Sequence, residues 1–159
     1  LVEEDLIDTA NDLLKKAAER GIKIHIPIDA VVADEFTNSA HIKEVQSNEI
    51  EAGWMGLDVG LESHKMFSDI LLQSKTILWN GPMGVFEMEN FSHGTKAIAL
   101  SVAEATMKGA YSLIGGGDSV AAINKYNLAD QVSYVSTGGG AMLEYMEGKV
   151  LPGIKAIMD

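Results

Sequence analysis

The chain opens with apolar side chains at helical spacing. Between positions 3 and 20 they recur every three or four residues, at Leu6, Ala10, Leu13, Leu14 and Ala17. This spacing, followed by Gly21, predicts a helix with one buried face. Apolar and polar side chains then alternate over residues 22–26, which predicts a short strand that ends at Pro27.

The next segment has a weaker pattern. Residues 31–33 favour a second strand, and the polar stretch 37–53 is irregular with one short strand near Val45. Asp29 and Asp34 flank the valines of the second strand. We interpret both as turn residues rather than as a catalytic acid pair, because aspartate beside a strand commonly forms turns.

From Trp54 onward one unit recurs: a short apolar strand, a glycine-containing turn and a helix. Strands are predicted at 76–79, 110–114 and 132–135, and helices at 66–75, at 92–107, from 119 to about 126, and at 140–146. This order is typical of parallel strands joined by crossover helices. The sequence therefore predicts an α/β fold with a doubly wound, mainly parallel, Rossmann-like sheet and helices on both faces.

Composition narrows the class of protein. The 159 residues are 47% hydrophobic, which favours one globular domain with its own core. Twenty-three acidic against 12 basic residues give a net charge of −11, which disfavours nucleic acid and membrane surfaces as partners. The sequence has no cysteine, which excludes thiolate metal sites and suits a cytoplasmic location.

The first residue is leucine, and the helical pattern is already established by Leu6. We therefore expect the true start to lie upstream and the chain to be a fragment.

Glycine marks the candidate chemistry. Two runs of three glycines, at 115–117 and 138–140, each lie between a predicted strand and a predicted helix. Backbone N–H groups in such turns can approach an anion, and the following helix adds about half a positive charge at its start. This predicts a phosphate site at the carboxyl ends of the strands. The alternative is that the glycines serve only the turn geometry.

The common phosphate-binding patterns do not fit. The P-loop pattern is not found in the sequence, and G-x-G-x-x-G breaks at Val120. Asp118 would repel a bare phosphate, but it suits a Mg²⁺ ligand beside a nucleotide. A capping aspartate at a helix start is the alternative.

Four motifs carry a family resemblance. They are WMGLDVG at 54–60, WNGPMGVFE at 79–87, GGGDS at 115–119, and STGGGA at 136–141 with LPG at 151–153. In order and spacing the chain resembles, from end to end, the carboxy-terminal, nucleotide-binding half of phosphoglycerate kinase. The resemblance implies reversible phosphoryl transfer between 1,3-bisphosphoglycerate and Mg-ADP in glycolysis, with ATP/ADP and Mg²⁺ as cofactors.

The resemblance also implies roles for the nucleoside-binding residues. Gly56 and Leu57 border the adenine, Asn80 and Pro82 line the nucleotide cleft, and Glu87 accepts hydrogen bonds from the ribose hydroxyls.

A second group is implied to bind the phosphates. Gly116, Gly117, Asp118 and Ser119 contact the nucleotide phosphates, with Asp118 on the metal. The catalytic positions, which face the transferred phosphoryl group, are Gly117, Gly138, Gly139 and Gly140.

The family enzyme is more than twice as long as this chain. We therefore expect residues 1–159 to be a single, incomplete nucleotide-binding domain that lacks its opening strands, with the amino-terminal phosphoglycerate-binding domain absent. A Gly-Gly-Ala-Lys turn of the family is also absent, and Leu61 and Ser119 replace its usual proline and threonine.

Such a fragment is expected to be inactive alone. Its partners are small-molecule substrates, with the nucleotide bound here and the phosphoglycerate bound through the missing domain. The family is usually monomeric, but the fragment could self-associate through an exposed sheet edge. The alternative is a free-standing, non-catalytic phosphate- or nucleotide-binding α/β module.

Overall fold

Two three-stranded sheets form the framework of residues 3–158, the part of the chain that the computed structural model describes. The amino-terminal sheet contains β1 (Asp29–Ala33), β2 (Ile42–Gln46) and β3 (Met55–Val59), antiparallel in the order β2-β1-β3. The carboxy-terminal sheet contains β4 (Thr76–Asn80), β5 (Tyr111–Gly115) and β6 (Tyr134–Val135), parallel in that order.

Six α-helices accompany the strands within the described residues. They are α1 (Ile7–Glu19), α2 (Leu61–Gln73), α3 (His93–Met107), α4 (Gly117–Lys125), α5 (Gly140–Met146) and α6 (Pro152–Met158). Helices α2 and α3 pack against each other, and α3 also contacts β3, β5 and α4. The predicted α/β class, with a parallel sheet flanked by helices, is confirmed. The sequence pattern did not reveal that the three strands of the amino-terminal half form an antiparallel sheet of their own.

The main core lies between the carboxy-terminal sheet and the helices α3 and α4. Its large buried side chains come from both layers: Ile77 and Trp79 of β4, Ile98 and Val102 of α3, Ile114 of β5, and Ile123 of α4. A smaller core under the amino-terminal sheet contains Val31, Leu57 and Phe91. None of the helices within residues 3–158 has both the length and the apolar character needed to cross a membrane.

The prediction of a strand at residues 22–26 is wrong. No strand of residues 3–158 pairs with this segment, and Ile22, Ile24 and Ile26 are 57%, 47% and 62% exposed. Alternation is a property of side chains, whereas a strand also requires a neighbouring backbone to accept its hydrogen bonds.

The predicted opening helix is confirmed as α1, but the prediction that one of its faces is buried is wrong. Its apolar side chains Leu13 and Leu14 are exposed, and only Ala17 is buried. The helix follows from the local pattern. Burial needs a facing surface, and residues 3–158 do not cover this side of α1.

Asp29 is not a turn residue, as the sequence had suggested, but the buried first residue of β1. Its Oδ2 accepts the N–H of Glu62 at 2.8 Å and its Oδ1 accepts the N–H of Ser63 at 2.8 Å. The Ser63 hydroxyl also donates to Oδ1. Asp29 therefore caps α2 from 33 residues away, which explains why α2 begins at Leu61 rather than at the predicted position 66.

The charge of Asp29 is stabilised in this position. Burial by itself would raise the pKa of Asp29, but the hydrogen bonds from Ser63 and Glu62 outweigh it, so the pKa lies below the ordinary 3.8. The ionised carboxylate is therefore the form that the folded chain favours.

We expect Asp29→Asn to lower the free energy of unfolding by about 1–3 kcal/mol, because the amide NH₂ must face a buried backbone N–H. Urea unfolding at pH 7, followed by circular dichroism, measures the change. Asp69→Asn, at an exposed position of α2, is the matched control and should leave the midpoint within error.

The same pair of proteins tests the pH dependence. Because the folded pKa of Asp29 is lowered, its stabilisation is complete above the unfolded value of about 3.8 and is lost as the pH falls through the folded value. The difference between wild type and Asp29→Asn should therefore shrink below pH 4. A constant difference from pH 2 to pH 7 would contradict this assignment.

Candidate functional site

The two sheets meet at residues 81–86, which follow β4 and are named here the linking loop. At its start, the N–H of Gly81 donates to the hydroxyl of Ser119 in α4 at 2.6 Å. Near its end, the N–H of Val85 donates to the carbonyl of Leu57 in β3 at 2.9 Å. The loop therefore ties the amino-terminal sheet to the helix that follows β5.

A buried threonine holds the middle of the linking loop. The hydroxyl oxygen of Thr95, near the start of α3, accepts the N–H of Met83 at 3.1 Å and the N–H of Gly84 at 3.3 Å. At Gly84 the backbone passes directly against Asp58, where an added Cβ would overlap the carboxylate. The close approach requires glycine at this position.

Asp58 is the buried acid beneath the loop. Its Oδ1 accepts the N–H of Val59 at 2.9 Å and its Oδ2 accepts the N–H of Gly94 at 2.8 Å, at the start of α3. Burial raises the pKa of Asp58, and these two hydrogen bonds oppose the rise without cancelling it.

The carboxyl ends of β4 and β5 form a corner, named here the glycine corner. It brings together Asn80, Gly116, Gly117, Asp118 and Ser119. Asn80 is in register with Gly115, and the side-chain oxygen of Asn80 lies where a Cβ of Gly116 would be. Gly116 has a φ of +80°, which favours glycine, and α4 begins at the next residue.

The residues of the glycine corner differ in their exposure to solvent. Ser119 is fully buried and accepts the hydrogen bond from the linking loop, whereas Gly117 and Asp118 are exposed in the first turn of α4. Space around Gly117 is open. The free edge of the corner therefore consists of backbone N–H groups at a helix start and one carboxylate.

The second triple-glycine turn lies beside this corner. The N–H of Ser136, directly after β6, donates to the carbonyl of Ile114 in β5 at 2.8 Å. Gly138, Gly139 and Gly140 follow, and Met142 of α5 packs directly against Gly115. The two triple-glycine turns therefore leave neighbouring strands at the same edge of the parallel sheet, as the sequence predicted for strand ends.

A shallow cavity of about 430 Å³ opens between the amino-terminal sheet and the linking loop. Gly56, Leu57 and Pro82 line it, together with Val85 and the backbone around Gly84. Asp29, Asp58 and Ser47 also line it, but most of its wall is apolar, which suits a flat heterocycle more than a phosphate.

Glu87 lies at the other end of the linking loop. It is exposed, and the carbonyl of the preceding Phe86 accepts a hydrogen bond from Lys125, the last residue of α4. Burial raises the pKa of Tyr126, and the charges of Asp58 and Glu87 add to the rise, which places Glu87 near this end of α4. Asp118 and Glu87 thus lie by opposite ends of one helix.

The described residues do not form a metal site of their own at this place. Residues 3–158 contain no group of three or more His, Asp or Glu side chains arranged to hold an ion. The exposed Asp118 carboxylate is a hard oxygen ligand of the kind that Mg²⁺ accepts, and such an ion would take its other ligands from phosphate and water.

Sequence reasoning missed three residues of the site: Asp58, Thr95 and Lys125. The distant backbone groups that they bind lie 11 to 39 positions away in the chain. Periodicity reports local structure only, so no local signal in the sequence identified them.

The geometry agrees with comparisons to known proteins. A family model described as phosphoglycerate kinase matches residues 1–149. Phosphoglycerate kinases from Porphyromonas gingivalis and Synechococcus elongatus are 56% and 54% identical over 99% and 100% of this chain. The chain spans 38% and 40% of the length of these two relatives.

Solved structures show the same relation. The phosphoglycerate kinase from Coxiella burnetii superposes with a TM-score of 0.89 at 44% identity, over 96% of this chain and 38% of that one. The enzyme from Pyrococcus horikoshii gives a TM-score of 0.80 at 30% identity, over 97% and 36%. The chain belongs to the phosphoglycerate kinase family.

Proposed function

We propose that this chain provides the nucleotide side of a phosphoglycerate kinase, which transfers a phosphoryl group reversibly between 1,3-bisphosphoglycerate and Mg-ADP. The observation that carries the proposal is the glycine corner. There, open backbone N–H groups at the start of α4 lie beside the carboxyl ends of two parallel strands. Parallel α/β sheets bind phosphorylated ligands at such edges.

In this proposal the nucleotide phosphates lie over Gly116, Gly117, Asp118 and Ser119. The first N–H groups of α4 have no partner within the helix and point towards an anion. Asp118 would hold Mg²⁺, which neutralises charge on the phosphate oxygens when bound. Asn80 would close the corner from the end of β4.

The nucleoside would occupy the cavity beneath the linking loop. Gly56, Leu57 and Pro82 line this cavity. Gly56 and Leu57 would border the adenine, and Pro82 would cover it from the loop. Glu87 would accept hydrogen bonds from the ribose hydroxyls, since its carboxylate is exposed to solvent and to ligand.

Gly138, Gly139 and Gly140, together with Gly117, would face the transferred phosphoryl group. Transfer of this kind needs in-line positioning and backbone N–H donors for the equatorial oxygens more than it needs a reactive side chain. Turns without Cβ atoms on two neighbouring strands allow such donors to approach the group from two directions.

The remaining substrate is assigned elsewhere. Because the chain spans 38–40% of its relatives, we place phosphoglycerate binding in a domain outside these 159 residues. As part of glycolysis, the protein would act in the cytoplasm.

Substitutions at two adjacent glycines test the effects on folding and on nucleotide binding separately. Gly116→Ala should lower the free energy of unfolding by about 1–3 kcal/mol, because it combines a positive φ with overlap on Asn80. Gly117→Ala should leave stability unchanged or higher, yet weaken Mg-ADP binding about tenfold by holding the phosphates away from the helix start. Thermal unfolding and calorimetry measure the two effects, and equal behaviour of the two variants would contradict the assignment.

Substitutions at two carboxylates test the proposed metal contact and the proposed ribose contact separately. Asp118→Asn should weaken Mg-ADP about tenfold while leaving metal-free ADP unchanged, because it removes the ligand of the ion. Glu87→Gln should weaken both forms alike. Calorimetry with and without EDTA distinguishes them, and an Asp118→Asn effect that persists in EDTA would reject the metal role.

Turnover tests the proposed reaction itself. The 159-residue chain alone should convert no 3-phosphoglycerate with ATP, because holding both substrates in line supplies roughly 7–11 kcal/mol and one half-site holds one substrate. Addition of the amino-terminal domain of a close relative should restore activity in an assay coupled to NADH oxidation. Turnover by the chain alone would refute the half-site, and nucleotide binding without restored turnover would favour a non-catalytic module.

A further inference from the structure

Helix α4 holds the linking loop at both ends. At the amino-terminal end, Ser119 accepts the N–H of Gly81. At the carboxy-terminal end, the ammonium of Lys125 donates to the carbonyl of Phe86 at 2.5 Å and lies 5.6 Å from the centre of the Phe86 ring. One short helix therefore fixes both the first and the last residue of the loop.

The contact of Lys125 is specific to the backbone. None of the ion pairs within residues 3–158 includes Lys125, so its charge is directed to a peptide carbonyl rather than to a carboxylate. A hydrogen bond from an ammonium group is stronger than a neutral one, and it must offset the entropy of ordering a long side chain. Phe86 itself is only 5% exposed, so the carbonyl is presented from a fixed point.

The residue after this carbonyl is Glu87. Asp118 and Lys125 are seven residues apart on α4, a rise of about 10 Å along the helix axis. The helix thus sets the separation between the glycine corner and the backbone that carries Glu87. A ligand that contacts both must match this separation.

We infer that Lys125 is a positioning residue for recognition of a ribonucleoside diphosphate. It fixes the Phe86 carbonyl and so holds the Glu87 carboxylate at the distance from the glycine corner at which ribose hydroxyls and phosphates bind together. Lys125 does not contact the nucleotide. This inference rests on the proposed function.

The test uses Lys125→Met, the conservative Lys125→Arg, and Lys65→Met as a control that removes the same charge from an exposed position on α2. Calorimetry measures Mg²⁺ complexes of ADP, 2′,3′-dideoxy-ADP and pyrophosphate with the 159-residue chain. Lys125→Met should weaken ADP about tenfold, as expected for one hydrogen bond to a charged group, and leave the other two ligands unchanged. Lys125→Arg should recover most of the loss, and Lys65→Met should behave as wild type.

A double variant tests whether Lys125 acts through Glu87. If Lys125 acts through Glu87, Lys125→Met should add no further loss to Glu87→Gln. Amide hydrogen exchange supplies a readout without ligand. Exchange at Val85, Phe86 and Met88 should be faster in Lys125→Met, while Met83, held by Thr95, should be unaffected.

The outcomes separate this inference from the proposed function. Equal affinity of wild type and Lys125→Met for ADP overturns the inference alone, as does equal weakening of ADP and pyrophosphate. Wild type that binds neither ADP nor pyrophosphate overturns both. A tenfold loss confined to ADP, with the local increase in exchange, supports the positioning role.

Discussion

Two buried aspartates of the antiparallel sheet determine where the paired helices begin. Asp29 on β1 accepts the first N–H groups of α2, and Asp58 on β3 accepts the N–H of Gly94 at the start of α3. Each carboxylate satisfies donors that a helix start leaves open and lies at the positive end of the helix dipole. Because α3 also forms one layer of the main core, the relation between the two sheets depends on these contacts. The pKa shifts have opposite directions because hydrogen bonds dominate at Asp29 and burial dominates at Asp58.

The linking loop connects the two parts of the candidate site. Thr95 of α3, Leu57 of β3 and Ser119 of α4 each bind a different part of the same six-residue segment. The cavity on one side and the glycine corner on the other are therefore held by one piece of backbone. A ligand with an apolar ring and an anionic tail matches this combination of surfaces.

The parts of the fold that the sequence predicted are those in which local pattern and tertiary contact agree. Helix α3 and the strands β4 and β5 lie in the recurring unit of apolar strand, glycine turn and helix, and they supply most of the main core, so the local pattern located them. The pattern failed at residues 22–26, where alternation has no pairing strand within the described chain, and at the start of α2, where a distant carboxylate provides the cap. For the site, glycine runs revealed the corner because their backbone requirement is local. Thr95 and Lys125 act on backbone groups of the linking loop, and no periodicity records such contacts.

The short strand β6 gives the site an uneven stiffness. Its ladder with β5 pairs only Leu113 with Tyr134 and Ile114 with Val135, whereas β4 and β5 pair over five residues. The free energy of local opening is lowest where few backbone hydrogen bonds must break. The turn at 138–140 should therefore open more readily than the corner at 116–119. The proposed site thus has one softer wall, the turn at 138–140, opposite a stiffer one, the corner at 116–119. Such compliance comes from the length of one strand and requires no hinge.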